Sequence, residues 1–166
     1  MPRLADALDR IRFARRYTLE SLDTIAPADW FRMPAEGVTH VAWQVGHLAI
    51  AQYRLCFTQL HGFQPEDESF FPARFLELFR RESTPNPDPA AYPSPAEIRR
   101  VFEAVHARLL DELPAYPDAD LDSPVNASHR LCKTKIDSLR WCSAHEMVHA
   151  GQIGLLRRLF GQKPIW

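Results

Sequence analysis

Ser138–Gly161, SLRWCSAHEMVHAGQIGLLRRLFG, has the pattern of one long helix. Asp137 or Ser138 supplies an N-cap, and Gly161 followed by Pro164 supplies the stop. At 3.6 residues per turn, Leu139, Cys142, His145, His149, Gln152, Leu156 and Leu159 fall on one stripe, which should face a core. His145 and His149 are one turn apart, with Cβ atoms roughly 5–6 Å from each other, so both rings can reach a single metal ion. Burying two unpaired rings costs on the order of 1–3 kcal/mol each. A shared metal removes that cost, and ordinary hydrogen-bonded core histidines are the alternative.

The chain has 166 residues, enough for one domain with a sizeable core, and residues 1–166 are taken as a single helical unit. Apolar residues make up 46% and charged residues 25%, the proportions of an ordinary soluble globular protein. A net charge of −1 gives no electrostatic reason to expect a nucleic acid or an acidic membrane as partner. The local cluster Arg10, Arg12, Arg15 and Arg16 has the pattern of a solvated helix face. MPRLADALDR lacks an apolar leader segment, and no apolar run approaches the ~18 residues of a membrane span. A cytoplasmic location is therefore expected. Three cysteines at scattered positions do not suggest a disulfide framework, and the Asn126-Ala127-Ser128 sequon is idle in a cytosolic chain.

Outward from the last helix, the chain predicts three more. The first covers about 3–25, with Leu4, Leu8, Ile11, Ala14, Leu22 and Ile25 as its stripe. A second covers about 39–60, capped by Thr39 and ended by Gly62 and Pro65. A shorter helical piece lies around Pro72–Arg81. Five prolines between Thr84 and Pro95 then rule out helix or central strand, leaving a long crossover loop. Ser94-Pro95-Ala96-Glu97 combines a capping box with proline at the first helical position and opens a helix over about 95–113. Residues 114–136 form a second irregular connection. No stretch alternates at period two for the length of a strand. Four amphipathic helices with two long connections predict an all-α, four-helix bundle with crossovers.

The second helix carries His40 and His47 on one stripe with Trp43 and Ile50. Seven residues separate the two by roughly 10 Å along the axis, so they cannot share an ion. His47 lies near its helix midpoint, at the level that His145 and His149 would occupy on a neighbour. His40, near the helix end, reads as a surface or capping residue. Ala42, Gly46 and Ala49 on this helix, and Ala150, Gly151 and Gly154 on the last, form small-residue stripes suited to close packing or to access to the metal.

HVAWQVGHLAIAQ and HEMVHAGQIGLLRRLFG, with a W-x-x-G-H-L segment in the second helix and H-x-x-x-H-x-G-Q-I in the last, resemble the DinB/YfiT-like family of small metal-binding bundles. The resemblance extends over nearly the whole chain. It implies an up-down-down-up bundle, often dimeric, with a three-histidine site that maps to His47, His145 and His149. It also implies a divalent ion, commonly zinc or nickel, with water or substrate completing the coordination sphere. Several such proteins are thiol S-transferases or thiol-dependent isomerases that use low-molecular-weight thiols such as bacillithiol or mycothiol.

His145-Glu146-x-x-His149 also fits the zincin pattern, in which the glutamate is the base. That reading lacks a third ligand downstream, since no Asp, Glu or His follows His149, and Gln152 and Leu155 stand where a metzincin needs Gly and His. Glu146, about 80° from the centre of the histidine pair, is expected to act behind the ligands, as an interhelical hydrogen-bond partner, or as a base from the flank. Cys142 and Cys56 read as core packing, Trp43, Tyr53 and Trp141 as core and candidates for a pocket wall, and His61 and His106 as a helix-end and a surface residue. His129-x-x-Cys132 offers a weak accessory metal pattern, and Arg54 a cation for a carboxylate-bearing thiol. The leading expectation is a metal-dependent transferase or isomerase of a small-molecule thiol, with the proline loop 84–95 as wall or lid of its pocket. A hydrolase that activates water with Glu146 as base, or a non-catalytic metal-binding or small-molecule-binding stress-response bundle, is the alternative.

Overall fold

The computed structural model describes residues 3–66, 70–72 and 74–165. Within them the chain is helical, with no strand and only an isolated bridge between Pro124 and Thr134. Helix α1 spans Arg3–Leu22 and α2 spans Val41–Tyr53. Helix α2 continues through a π turn, Arg54–Thr58, into a last α turn, Gln59–His61. The short α3 is Phe75–Phe79, α4 is Pro95–Glu112 and α5 is Lys135–Leu159. No helix among the described residues is long and apolar enough to cross a membrane.

Side-chain contacts fix the directions. Arg157 near the end of α5 donates to Thr24 just past the end of α1, and Arg3 at the start of α1 pairs with Asp122 ahead of α5, so these two run parallel. The ring of His40 before α2 meets that of Tyr92 before α4, and Tyr116 after α4 donates to the Leu60 carbonyl late in the second helix. Those helices are parallel too. Helix α2 runs against α5, with Gln44 beside His149 and Leu55 beside Ser138. The bundle is up-down-down-up, with α1, α2, α4 and α5 as its four long members.

Several local details differ from the expected ones. Helix α5 starts a few residues early, because Thr134 caps it and Asp137 completes the capping box, which displaces Asp137 and Ser138 as caps. Ser138 is instead buried, and its Oγ donates to the Leu55 carbonyl in the π turn at 2.7 Å. The N-cap of α2 is His40 and not Thr39; its Nδ1 accepts from Trp43 N at 3.1 Å. His40 thus caps the helix, one of the two roles expected of it, and it is fully buried between Phe31 and Tyr92 and not at the surface. Burial pushes its pKa down to about 4, and the Asn86 backbone offsets that only in part.

The expected stripe of α5 is buried at Leu139, Cys142, His149 and Leu156, and the buried face extends beyond it. Ser143, Glu146, Ala150 and Ile153 are buried, while Gln152 is exposed and Leu159 keeps more than half its surface in water. The cause lies on α1. Arg15 is 2% exposed, not on a solvated face, and its guanidinium meets Glu146, also 2% exposed, with Nε to Oε1 at 2.8 Å and Nη2 to Oε2 at 3.3 Å. Arg15 also donates to Gln52 Oε1 and the Phe102 carbonyl, and it lies over the Phe102 ring. One buried cation thereby ties together all four long helices. Removing either member would strand a charge in the core.

Glycine serves close packing at one of its expected places. A Cβ on Gly46 would lie 2.4 Å from the Phe79 ring, so only glycine lets α3 press against α2 there. Gly151 and Gly154 have nothing within 4 Å of that position and pack against no neighbour.

Candidate metal centre

Helix α2 brings His47, and α5 brings His145 and His149, to the same level of the bundle. Each offers one ring nitrogen, and the three nitrogens lie within 4.8 Å of one another. Nε2 of His145 and Nε2 of His149 are 3.2 Å apart. Nitrogen ligands of a tetrahedral ion at 2.0–2.1 Å stand roughly 3.3 Å from each other, so this spacing fits a shared ion.

The hydrogen bonds made by the other ring nitrogens decide which nitrogens are free. Nδ1 of His47 lies 3.0 Å from the Phe79 carbonyl, which can only accept, so that nitrogen carries the proton. Nδ1 of His149 donates in the same way to Oε1 of Gln44, whose Nε2 donates to Thr39 Oγ1 at 3.0 Å. Both rings therefore present Nε2 lone pairs to their neighbours. Two lone pairs facing each other repel unless a cation or proton stands between them, and imidazole nitrogen is a fitting donor for a borderline-soft divalent ion. The indole of Trp43 stacks on His47 at 4.8 Å and 5° and is itself held by Ser83 through Nε1 at 2.8 Å.

Burial keeps these rings neutral. It is the first cause of a lowered pKa at all three: His145 falls to about 4 and His149 to about 3, each helped by the neighbouring imidazoles. His47 is lowered as well, by burial and then by Arg54 and Arg81, while the Phe79 carbonyl and Glu82 pull the other way. Neutral rings at pH 7 are what metal ligation needs.

His47 and His145 open onto a cavity of about 760 Å³, within the range that holds a small molecule. Tyr53, Phe71, Leu76 and Trp141 give it apolar walls. Its rim comes from Arg81 and Glu82 and from Ala127–Leu131 in the second connection. The proline loop 84–95 contributes none of the described lining residues, so it is not the lid expected of it; Tyr92 packs instead on His40 and Phe79. A separate outer groove of about 850 Å³ between α1 and α5, around Phe13 and Met147, touches none of the three histidines.

A family model for the DinB superfamily matches residues 10–153, a span that contains His47, His145 and His149. The chain belongs to the DinB superfamily. A crystal structure of a conserved protein from Enterococcus faecalis is similar to it, with a TM-score of 0.73 and 18% identity over 98% of this chain and 99% of that one. At that identity the likeness speaks for the fold alone. No curated protein matches the sequence significantly.

As a member of the DinB superfamily the chain brings the three expected histidines together, and the structure sorts the other candidates around them. Glu146 sits not on the flank but inside the bundle, with both carboxylate oxygens on Arg15. Cys142 and Cys56 are buried, and burial raises the Cys56 thiol well above its ordinary pKa, which makes it inert packing. His61 is exposed at a helix end, as expected. His106 is not a surface residue: it is half-buried, 3.4 Å from Gln52 Nε2, with its pKa lowered to about 3 by burial and then by Arg15 and Arg12. Gln44 and the Phe79 carbonyl, which orient two of the rings, escaped the sequence reading. Spacing alone held one hint: Gln44 precedes His47 by three residues on the same helix.

Proposed function

We propose that His47, His145 and His149 hold one divalent metal ion, zinc or nickel, and that the protein is a metal-dependent enzyme acting on a small molecule in the adjoining cavity. The reaction class we favour is transfer of a low-molecular-weight thiol to an electrophile, or a thiol-dependent isomerisation. Three neutral imidazoles with one side open to a cavity carry this reading. A closed structural site would use a fourth protein ligand, and no fourth His, Cys, Asp or Glu joins the cluster among the described residues.

A divalent ion at this position supplies Lewis acidity, which lowers the pKa of a thiol or water brought to it. The chain's own residues do the rest. The Phe79 carbonyl and Gln44 hold His47 and His149 in the tautomer that exposes Nε2. Trp43 fixes the plane of His47. Phe71, Leu76 and Trp141 keep the cavity walls apolar, which strengthens any electrostatic contact made inside. Glu146 is committed to Arg15, so it is not the base that a hydrolytic reading would assign to it.

The test begins with elemental analysis of protein purified without a histidine tag, beside a His149→Ala variant. About one equivalent of metal in the parent and a large loss in the variant are expected. Glutathione consumption with a chloronitrobenzene electrophile is then followed with and without the bound metal. Metal-dependent consumption supports the transferase. A parent that takes up no divalent metal after reconstitution overturns the centre. Metal without thiol consumption across a panel of thiols makes the protein a non-catalytic binding bundle.

A further inference from the structure

Three arginines of the cavity, Arg54 on the π turn, Arg81 after α3 and Arg130 on the second connection, come from separate segments and converge on one space. None forms an ion pair among the described residues, and the described lining residues include one carboxylate, Glu82, against the three. This local excess of positive charge stands in a chain whose net charge is −1. Some arginines at the helix surface are paired, Arg10 with Asp6, Arg99 with Glu103 and Arg108 with Glu112; what sets Arg54, Arg81 and Arg130 apart is that all three line one cavity.

A fourth donor belongs to the same wall. Nδ1 of His129 accepts from the backbone N–H of Leu131 at 3.2 Å and of Cys132 at 3.1 Å. The neutral ring must therefore carry its proton on Nε2, which makes His129 a donor beside the cavity it lines. The segment holding it is fixed: Asn126 N donates to the Gln59 carbonyl and Ala127 N to Gln59 Oε1. The cations reach the histidines electrostatically as well, since Arg54 and Arg81 both depress the His47 pKa. Guanidinium groups without an ion pair among the described residues, in a cleft with aromatic and aliphatic walls, form a receptor for an anionic head, and those walls fit a hydrophobic body.

We propose that Arg54, Arg81, Arg130 and His129 form an anion subsite beside the three histidines, so that the cavity takes an organic anion, a carboxylate, sulfonate or phosphate carrying an apolar body. This names the ligand class of the site proposed above and to that extent rests on it. The subsite residues are not among the three that would hold the ion, so it can be tested in the metal-free protein.

Two probes share one aromatic body and differ by a sulfonate: 1-anilinonaphthalene-8-sulfonate and uncharged N-phenyl-1-naphthylamine. Both are titrated by fluorescence into metal-free protein, the Arg54→Gln/Arg130→Gln variant, and an Arg140→Gln control in the outer groove. The parent and the control should favour the sulfonate by roughly tenfold or more. The double variant should lose that preference while still binding the uncharged probe, which shows that the cavity is still formed. Should the double variant fail to fold, a salt series on the parent decides: sulfonate affinity falls with ionic strength and uncharged-probe affinity does not. Equal binding of both probes by the parent, a preference that survives in the double variant or vanishes in the control, or a flat salt series overturns the subsite. Metal content, measured separately, is untouched by any of these results, so failure here and failure of the metal centre are told apart.

Discussion

Nδ1 of His149 meets Oε1 of Gln44, and Gln44 in turn leans on Thr39, so a ring on α5 is aimed from the start of α2. Replacing Gln44 with leucine removes the acceptor and frees the tautomer. Metal affinity should fall by about 10–100-fold in chelator competition, since partners of this kind carry that much. An unchanged affinity would mean that the ring is held by packing alone. Glu146 belongs to a different interaction. Glu146→Gln leaves the Arg15 charge buried without its counter-ion, which should cost about 3–5 kcal/mol in urea denaturation while the metal stoichiometry stays at the parental value. Loss of activity with unchanged stability would instead make Glu146 a base. At this scale His145 and His149 were legible from their one-turn spacing, which left a shared metal and ordinary core histidines as equal alternatives, and His47 came from its level on the second helix and from the resemblance. Gln44 and Arg15 were not legible: a glutamine in a helix and an arginine among three others look like surface until a partner far along the chain is known.

Helix α3 and the π turn shape the cavity between them. Phe79 presses on Gly46 and offers its carbonyl to His47, so the backbone of a five-residue helix orients a ring of the centre. Gly46→Ala would drive a methyl group into that phenyl ring, at a cost of about 1–3 kcal/mol, with weaker metal binding as His47 loses its acceptor. Gly154→Ala meets nothing within 4 Å and should raise stability by about 1 kcal/mol, the gain of alanine over glycine in a helix interior. Thermal melts of the two variants should therefore shift in opposite directions; a shift in the same direction contradicts this account of the contact. Periodicity gave the existence of the helices and the capping box at Ser94, whose signals are local. It missed the π turn, because Arg54–Thr58 looks like regular helix until Ser138 arrives from α5 to take up the Leu55 carbonyl. It also placed the lid on the wrong loop, since prolines mark irregular chain and say nothing of where that chain lies.

Among the described residues, five buried or half-buried imidazoles have lowered pKa values: His40 and His145 about 4, His106 and His149 about 3, and His47 lowered as well. In the unfolded chain each titrates near 6.5, so between about pH 6.5 and 4 the unfolded state binds protons that the folded state declines. Stability of the metal-free protein is therefore full above about pH 6.5 and falls as the pH is lowered through that window. Urea midpoints taken at stepped pH should decline steadily, and a flat profile contradicts the burial of these rings. The bundle itself was legible from composition and period, and the up-down-down-up order came from the resemblance, because no local pattern states which helices run side by side. All of this converges on one claim, a single ion shared by α2 and α5. Anomalous diffraction at the zinc edge, from crystals of zinc-loaded protein, tests that claim most directly. The account predicts one strong peak about 2.0–2.1 Å from Nε2 of each of His47, His145 and His149. A map with no peak there, or with its main peak at an exposed histidine such as His61, would contradict it.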